Sequence, residues 1–456
     1  GESALPLLRE RPRPGRIVAE REIPEAGVVE WQLENGARVL LRPTDFRDDE
    51  ILFAARSDGG TSRFDDHDHV AALTASAVVQ YGGAGELSLT ELRKRLAGRL
   101  AGAGASIDQL QETLSGGASP RDIETLFELV HLRFTAPRVD TTAFLTYRDQ
   151  ARERLRNRGL SPDDAFQDTL QTLLSGGHPR ARPPSAAIFD SLDLHRSIEI
   201  YRDRFGDAGR FTFYFVGTFE PDSLRPLVET YLAGLPARGD TVGSGWRDLG
   251  VRPPDGVVRR TVRRGSEPRA RTQLVFHGPM EFGRDELQSL DALATLLQIR
   301  LREVLREDRG GTYNVGVSAS GTRDPVPQYR VAIGFGADPD RVDELVDVLF
   351  AELAMVQQAG PSEDEVARVR EIRYREREVR LRENGFWIGQ IMAYDRLGWN
   401  LAEIPAMAER SAQVDAERIR AAARRYLDTE RYIQVTLVPD DRTIGATTES
   451  PPVTVP

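Results

Sequence analysis

Residues 104–135 read GASIDQLQETLSGGASPRDIETLFELVHLRFT, and residues 328–353 read QYRVAIGFGADPDRVDELVDVLFAEL. Each is a strand-length segment ending in small residues, then a cap and a proline, then an amphipathic helix. Ser119-Pro120 and Asp338-Pro339 supply the N-cap and the first-turn proline, whose missing N–H would be unsatisfied there in any residue. The two caps lie 219 residues apart (338 − 119). A spacing that long is a duplication of a whole domain, not the 20–50 residue period of a solenoid.

The repeat extends in both directions. Each cap-helix unit is followed by a long charged helix, DTTAFLTYRDQARERLRN at 140–157 and SEDEVARVREIRYREREVR at 362–380. Upstream, FAARSDGGTSRFDDHDHVAALTASAVV (53–79) corresponds to FHGPMEFGRDELQSLDALATLLQIRLREVL (276–305) as strand, loop and helix. The first repeat opens with a hairpin, VVEWQLENGARVLLRPT, whose Asn35-Gly36 is a two-residue turn signal. RFTFYFVGTF and RYIQVTLVPD supply strands near the two domain ends. Between the repeats, LPARGDTVGSGWRDLGVRPPDG is rich in glycine, proline and charge. The expected organisation is a linker at 1–25, a first domain at 26–238, a linker at 239–248, a second domain at 249–440 and a tail at 441–456. The expected class is α+β: two homologous domains, each a mostly antiparallel sheet with helices on one face.

Composition narrows the chemistry. The 456 residues include no cysteine, which excludes disulfides, thiolate nucleophiles and Cys-ligated zinc. Net charge is −10, and basic residues are interleaved with acids, so runs such as RYREREVRLRE read as solvated helix faces rather than a nucleic-acid groove. No run of 18 apolar residues is present, so no membrane-spanning helix is expected. Residues 1–16, GESALPLLRERPRPGR, lack the apolar region of a signal peptide and read as an extended Pro/Arg-rich linker. No GxSxG nucleophile elbow occurs.

Residues 305–313 read LREDRGGTY, at the junction of the second repeat's first helix and the strand NVGVSAS. Gly310-Gly311 fit a helix C-cap and a tight entry into a strand; a phosphate loop would need the reverse order and a following GKS or GKT. No HExxH or HxxEH occurs. The six histidines are His67, His69, His131, His178, His195 and His277, and none is paired at i,i+4. His67 and His69 stand two apart, which on a helix points them to different sides. Asp65, Asp66 and Asp68 beside them have metal-attracting chemistry but equally suit a surface loop. From spacing alone, Arg306 has an ordinary reading, paired with Glu303 or Asp308 on a solvated helix end, and Tyr313 one as a plain strand residue.

Taken in order, WQLENGARVLLRPTDF, SPRDIETLFELVHLRFTAPRVD, YRDRFGDAGRFTFYFVGTFEPDSLRPLVETYLAGLP and LREVLREDRGGTYNVGVSAS resemble the insulinase/pitrilysin-type zinc peptidases, over roughly 26–440. The likeness is to the metal-free half of the long bacterial members. That resemblance implies a hollow two-half enzyme in which the other half carries HxxEH and the zinc, and this chain binds no cofactor of its own. It implies that Arg306 and Tyr313, seven residues apart, act on a peptide substrate. It implies a zinc-bearing partner half, fused or separate, and a periplasmic setting, with no nucleic acid and no membrane span. The alternative is a noncatalytic structural or protein-interaction subunit.

Overall fold

The computed structural model describes residues 6–239, 245–308 and 312–440; the side chains of 306–308, 312 and 313 are outside that description. The expected tail at 441–456 therefore lies outside the described residues. The first repeat runs β1 (Ile17–Ile23), β2 (Val28–Leu33), β3 (Arg38–Pro43), β4 (Ile51–Asp58), α1 (His69–Gly82), α2 (Leu89–Leu96), β5 (Ala101–Ile107), β6 (Gln111–Ala118), α3 (Ile123–Thr135), α4 (Thr141–Arg158), α5 (Pro162–Leu174), α6 (Leu194–Phe205), β7 (Thr212–Gly217) and α7 (Pro221–Val228). The second runs β8 (Val257–Arg263), β9 (Ala270–Pro279), α8 (Arg284–Leu301), β10 (Thr312–Thr322), β11 (Gln328–Ala337), α9 (Val342–Ala359), α10 (Glu363–Arg380), α11 (Asn384–Leu397), α12 (Met407–Ser411), α13 (Ala416–Tyr426) and β12 (Tyr432–Val438).

Topology carries the duplication. The first sheet has the order β1-β2-β3-β7-β4-β6-β5 and the second β10-β11-β9-β12-β8. Read from the other end, the second sheet is β8-β12-β9-β11-β10, strand for strand the β3-β7-β4-β6-β5 part of the first. In each, one neighbouring pair is parallel, β3 with β7 and β8 with β12, and the other pairs are antiparallel. The caps behave as their chemistry requires: Ser119 and Asp338 accept from Asp122 N and Asp340 N, each opening a short turn that leads into α3 or α9. Ser88 and Glu91 close a reciprocal capping box on α2.

One expectation needs correcting. Residues 17–23, within the expected linker, form β1 and pair antiparallel with β2. The strand hides in the sequence because five of its seven residues are exposed, so no apolar alternation marks it.

The chain forms two compact units: 1–153, 186–249 and 379–406 make one, and 154–185, 250–378 and 407–456 the other. The crossings fall inside α4 and α10, so the units interleave along the chain. As expected, the main helix layer of each sheet lies on one face. In the first unit, Phe53, Phe213 and Phe215 meet Phe127 and Phe134 of α3 there. In the second, Leu274, Phe276, Val331 and Ile333 meet α8, α9 and α13.

The opposite face of each sheet takes one helix, and it comes from the other repeat. α5 lays Phe166 and Leu170 on Val275, Ile433, Val435 and Leu437 in the second unit. α11 covers β7 in the first: Asp395 accepts from Tyr214 Oη (2.7 Å) and from Arg38 (2.8 and 3.3 Å). Trp387 of α11 lies under the Arg42 guanidinium, 3.6 Å from ring centre to cation carbon. Asn384 joins Thr44 (2.6 Å) and Glu50 (3.0 Å).

Asp395 is the charged anchor of that docking, since Tyr214 is buried and Arg38 is two-thirds covered. Asp395→Ala removes the shared acceptor and is expected to cost about 2–4 kcal/mol. The urea midpoint of the first unit's transition should fall accordingly. Glu371→Ala, which breaks an exposed pair with Arg375, should leave the midpoint in place. Equal midpoints for the two variants would remove Asp395 from this role.

Candidate functional site

The segment that links α8 to β10 is irregular at both ends. α8 does not stop at Leu301 but widens into a π-helical turn over Arg302–Asp308, and Arg306 sits on it. β10 then pairs Thr312 with Ala337 and Asn314 with Gly336. Two steps on β10 match one on β11, so Tyr313 is the extra residue of a β-bulge. Both sequence-predicted residues thus lie on distorted backbone flanking one connection. Their side chains are outside the described residues.

Polar side chains hold the bulge from two directions. Asn314 Oδ1 accepts from Gly336 N (3.1 Å), on the β11 side. β10 is the edge of its sheet, and on its outer side Gln298 of α8 meets it. Gln298 Nε2 donates to Val315 O (3.0 Å), and Val317 N donates to Gln298 Oε1 (2.9 Å).

A groove of about 830 Å3 opens on the sheet face beside the bulge. Asn314, Gly316, Gly334, Gly336 and Gln273 form part of its lining. Gly316 stands opposite Gly334 in the register, giving a floor of bare backbone. At its rim Arg271 pairs with Asp163 (3.4 Å) and rests over Phe166.

The position where a zinc helix would begin is built differently. Asp65, His67 and Asp68 form the one cluster of potential metal-ligand side chains among the described residues, within 4.8 Å of one another. Asp68, however, gives both its oxygens to Arg196 of α6 (3.1 and 2.5 Å). The Arg196 guanidinium holds the Asp68 carboxyl below its ordinary range. His67 precedes α1 and is exposed, while His69 is its first residue. The donor set does not fit a catalytic zinc: a fixed cation already occupies its best carboxylate, and the two histidines lack the one-face, i,i+4 arrangement.

Just before α1, the loop turns on Gly59 and Gly60, both with positive φ. A Cβ on Gly59 would strike Arg204 Nη1 at 2.4 Å, and one on Gly60 would strike Asp108 O at 2.2 Å, so only glycine fits at either place. Glu112 of β6 is fully buried beneath them and accepts from Gly60 N (2.7 Å). Its other oxygen faces Arg204 Nη1 at 3.6 Å, and both atoms lack a hydrogen-bond partner. Burial outweighs the Arg204 charge and pushes the Glu112 carboxyl up to about 7.

Comparison with known proteins places this architecture. Residues 191–373 match the family model described as the Peptidase M16 inactive domain. The chain is 27% identical over 401 residues to an Arabidopsis thaliana protein named zinc protease PQQL-like, covering 85% of this chain and 39% of that one. This is homology to the M16 zinc peptidases, carried by the family model over residues 191–373 and by the PqqL-like relatives. The crystal structure of the periplasmic protease PqqL from Escherichia coli superposes with a TM-score of 0.80 at 20% identity, covering 95% of this chain and 48% of that one. The M16 inactive domain from Pseudomonas fluorescens gives 0.73 at 16% identity, covering 93% and 100%. The chain spans 35–44% of the length of the curated relatives it matches. Its sequence contains no HxxEH motif. Among the described residues, no helix is long and apolar enough to cross a membrane.

Two outcomes follow for this region. Metal analysis after dialysis should find well under one zinc per chain; one tightly held zinc that is lost in His67→Ala would overturn the Arg196–Asp68 account. Glu112 makes the second. Its pKa is higher folded than unfolded, so between about pH 4.5 and 7 the native state binds more protons, and this group's contribution to stability is lost as pH rises. Glu112→Gln keeps the acceptor for Gly60 N and should flatten that part of the stability–pH curve. An unchanged slope would mean that the carboxyl titrates normally.

Proposed function

We propose that this chain is the metal-free, substrate-enclosing half of a zinc-dependent endopeptidase. Its partner is the HxxEH-bearing half, on the same polypeptide or a separate one, and its substrate is peptide or unfolded protein. The repeats at 26–238 and 249–440 are the two domains of this half. The periplasm is the compartment this reading favours, because the E. coli relative is a periplasmic protease.

The observation that carries the reading is the backbone around Arg306 and Tyr313. A π-helical turn and a β-bulge both disturb regular hydrogen bonding, and both concentrate where a side chain must be aimed at a ligand. A tyrosine O–H is a donor suited to the oxygen of a peptide carbonyl as negative charge builds on it. An arginine offers a planar fork to substrate carbonyls or carboxylates. In this chain's share of the reaction, Tyr313 stabilises the developing oxyanion, and Arg306 binds and orients the peptide.

The matched model's description as an inactive domain favours a second reading, a noncatalytic structural or interaction subunit. One experiment separates the two. The chain alone should hydrolyse no peptide, and with the HxxEH-bearing half it should restore turnover. Tyr313→Phe removes only a hydroxyl and should lower kcat by roughly 10²–10³, the cost of one lost oxyanion donor. Arg306→Ala should raise KM. Wild-type kinetics for both variants in a folded complex would leave the structural subunit as the surviving reading.

A further inference from the structure

The bulge at Tyr313 creates two hydrogen-bonding problems. On the inner side, the register shift between Thr312 and Asn314 breaks the regular ladder opposite Gly336. On the outer side, β10 is a sheet edge, and its alternate N–H and C=O groups point away from β11. Both problems are solved beside Tyr313 by side-chain amides. Asn314 Oδ1 takes the Gly336 N–H at 3.1 Å, and Gln298 meets Val315 O at 3.0 Å and Val317 N at 2.9 Å.

The Gln298 arrangement is specific. A primary amide presents a donor and an acceptor in one plane, as a peptide group does, so Gln298 acts as one unit of a neighbouring strand. Its chain position matters as much. Gln298 precedes Arg306 by eight residues, and Val315 follows Tyr313 by two. The amide therefore ties the helix at one end of the Arg306–Tyr313 connection to the strand at the other. Filling the edge also prevents another strand from pairing at that point. Hydrophobic packing alone does not set this register. Val315, Val317 and Ala319 are only half-buried against the core below, and a slide by two residues would keep the same face on that core.

We infer that Gln298 and Asn314 are positioning residues that hold the β10 bulge from its two sides, and so fix the backbone at Tyr313. This rests on the proposed role of Tyr313. Neither amide touches substrate in this account; each acts through the backbone.

The test has one arm independent of activity. Gln298→Leu keeps the volume and removes both bonds; Asn314→Val removes the acceptor while suiting a strand. Hydrogen exchange on the chain alone should be roughly tenfold faster at Val317 in the first and at Gly336 in the second, about the effect of one hydrogen bond lost. Unchanged protection would overturn the clamp. The second arm measures an internally quenched peptide with the chain joined to its HxxEH-bearing half. Gln298→Leu should lower kcat by roughly tenfold with KM nearly unchanged, as a misaimed group does. Placed on Tyr313→Phe, the same change should have no further effect. If Tyr313→Phe is costly but Gln298→Leu is silent or fully additive, the positioning role fails while the proposed function stands. If Tyr313→Phe is itself silent, the role of Tyr313 fails and the positioning role falls with it.

Discussion

Strands β7 and β12 are buried at consecutive positions, and that single constraint organises the molecule. FYFV in β7 and VTLV in β12 bury residues on both faces of their sheets. An antiparallel sheet with one wet face would alternate; these strands do not, so a second cover is obligatory. The covers are α5 and α11, which stand 222 residues apart in the chain (384 − 162) and are positional counterparts. Each packs on the sheet of the other repeat. Neither repeat, cut at the glycine-rich boundary, contains the helix that its own sheet requires. The exchange is the intramolecular form of a domain swap, where an identical element trades places between two copies of one fold.

This constraint explains what the sequence disclosed and what it withheld. The duplication was legible because its signals are local. Ser119-Pro120 and Asp338-Pro339 act within one turn of the residues they cap, and Asn35-Gly36 acts within one hairpin. The exchange was not legible. The apolar stripe of α5 is the same whether Phe166 meets its own sheet or the other, because periodicity reports a buried face and not its partner. β1 was missed for a related reason: an edge strand with exposed faces has no alternation to read. The bulge at Tyr313 leaves no sequence mark either, since Thr-Tyr-Asn is ordinary strand composition. Gln298, in LLQIRL, reads as the polar side of a helix until β10 is placed beside it. The usable signal was only that a polar residue interrupts an otherwise apolar run.

The two units also show how a fold retains its frame when a metal site is absent from it. At the head of α1, the nearby carboxylates face arginines of the same unit. Arg196 saturates Asp68, and Arg204 faces Glu112 under a glycine turn. These are different solutions. The first is partly solvated and fully hydrogen-bonded, so it holds the approach to α1 cheaply. The second is buried and imperfectly paired, so burial pushes its carboxyl up to about 7. Sequence reading treated the acids and histidines of this stretch as one loop; the structure adds a buried pair, Glu112 and Arg204, brought in from β6 and α6.

Where a regular fold departs from its own pattern, the departure requires a compensating cause. In the second repeat the departures are concentrated in one connection: a π-turn at its start, a bulge at its end and two amides holding the strand that follows. The core does not demand them, because β11 alternates perfectly between buried and half-buried residues along the same ladder, and α8 is regular up to Leu301. A straight α8 and an unbulged β10 would keep regular backbone hydrogen bonding through the same connection. The distortion is stabilised by Asn314 and Gln298, whose side-chain bonds go to the backbone of β11 and β10. A structural element that is costly to its own sheet, and is held in place nonetheless, points toward something the sheet by itself does not contain.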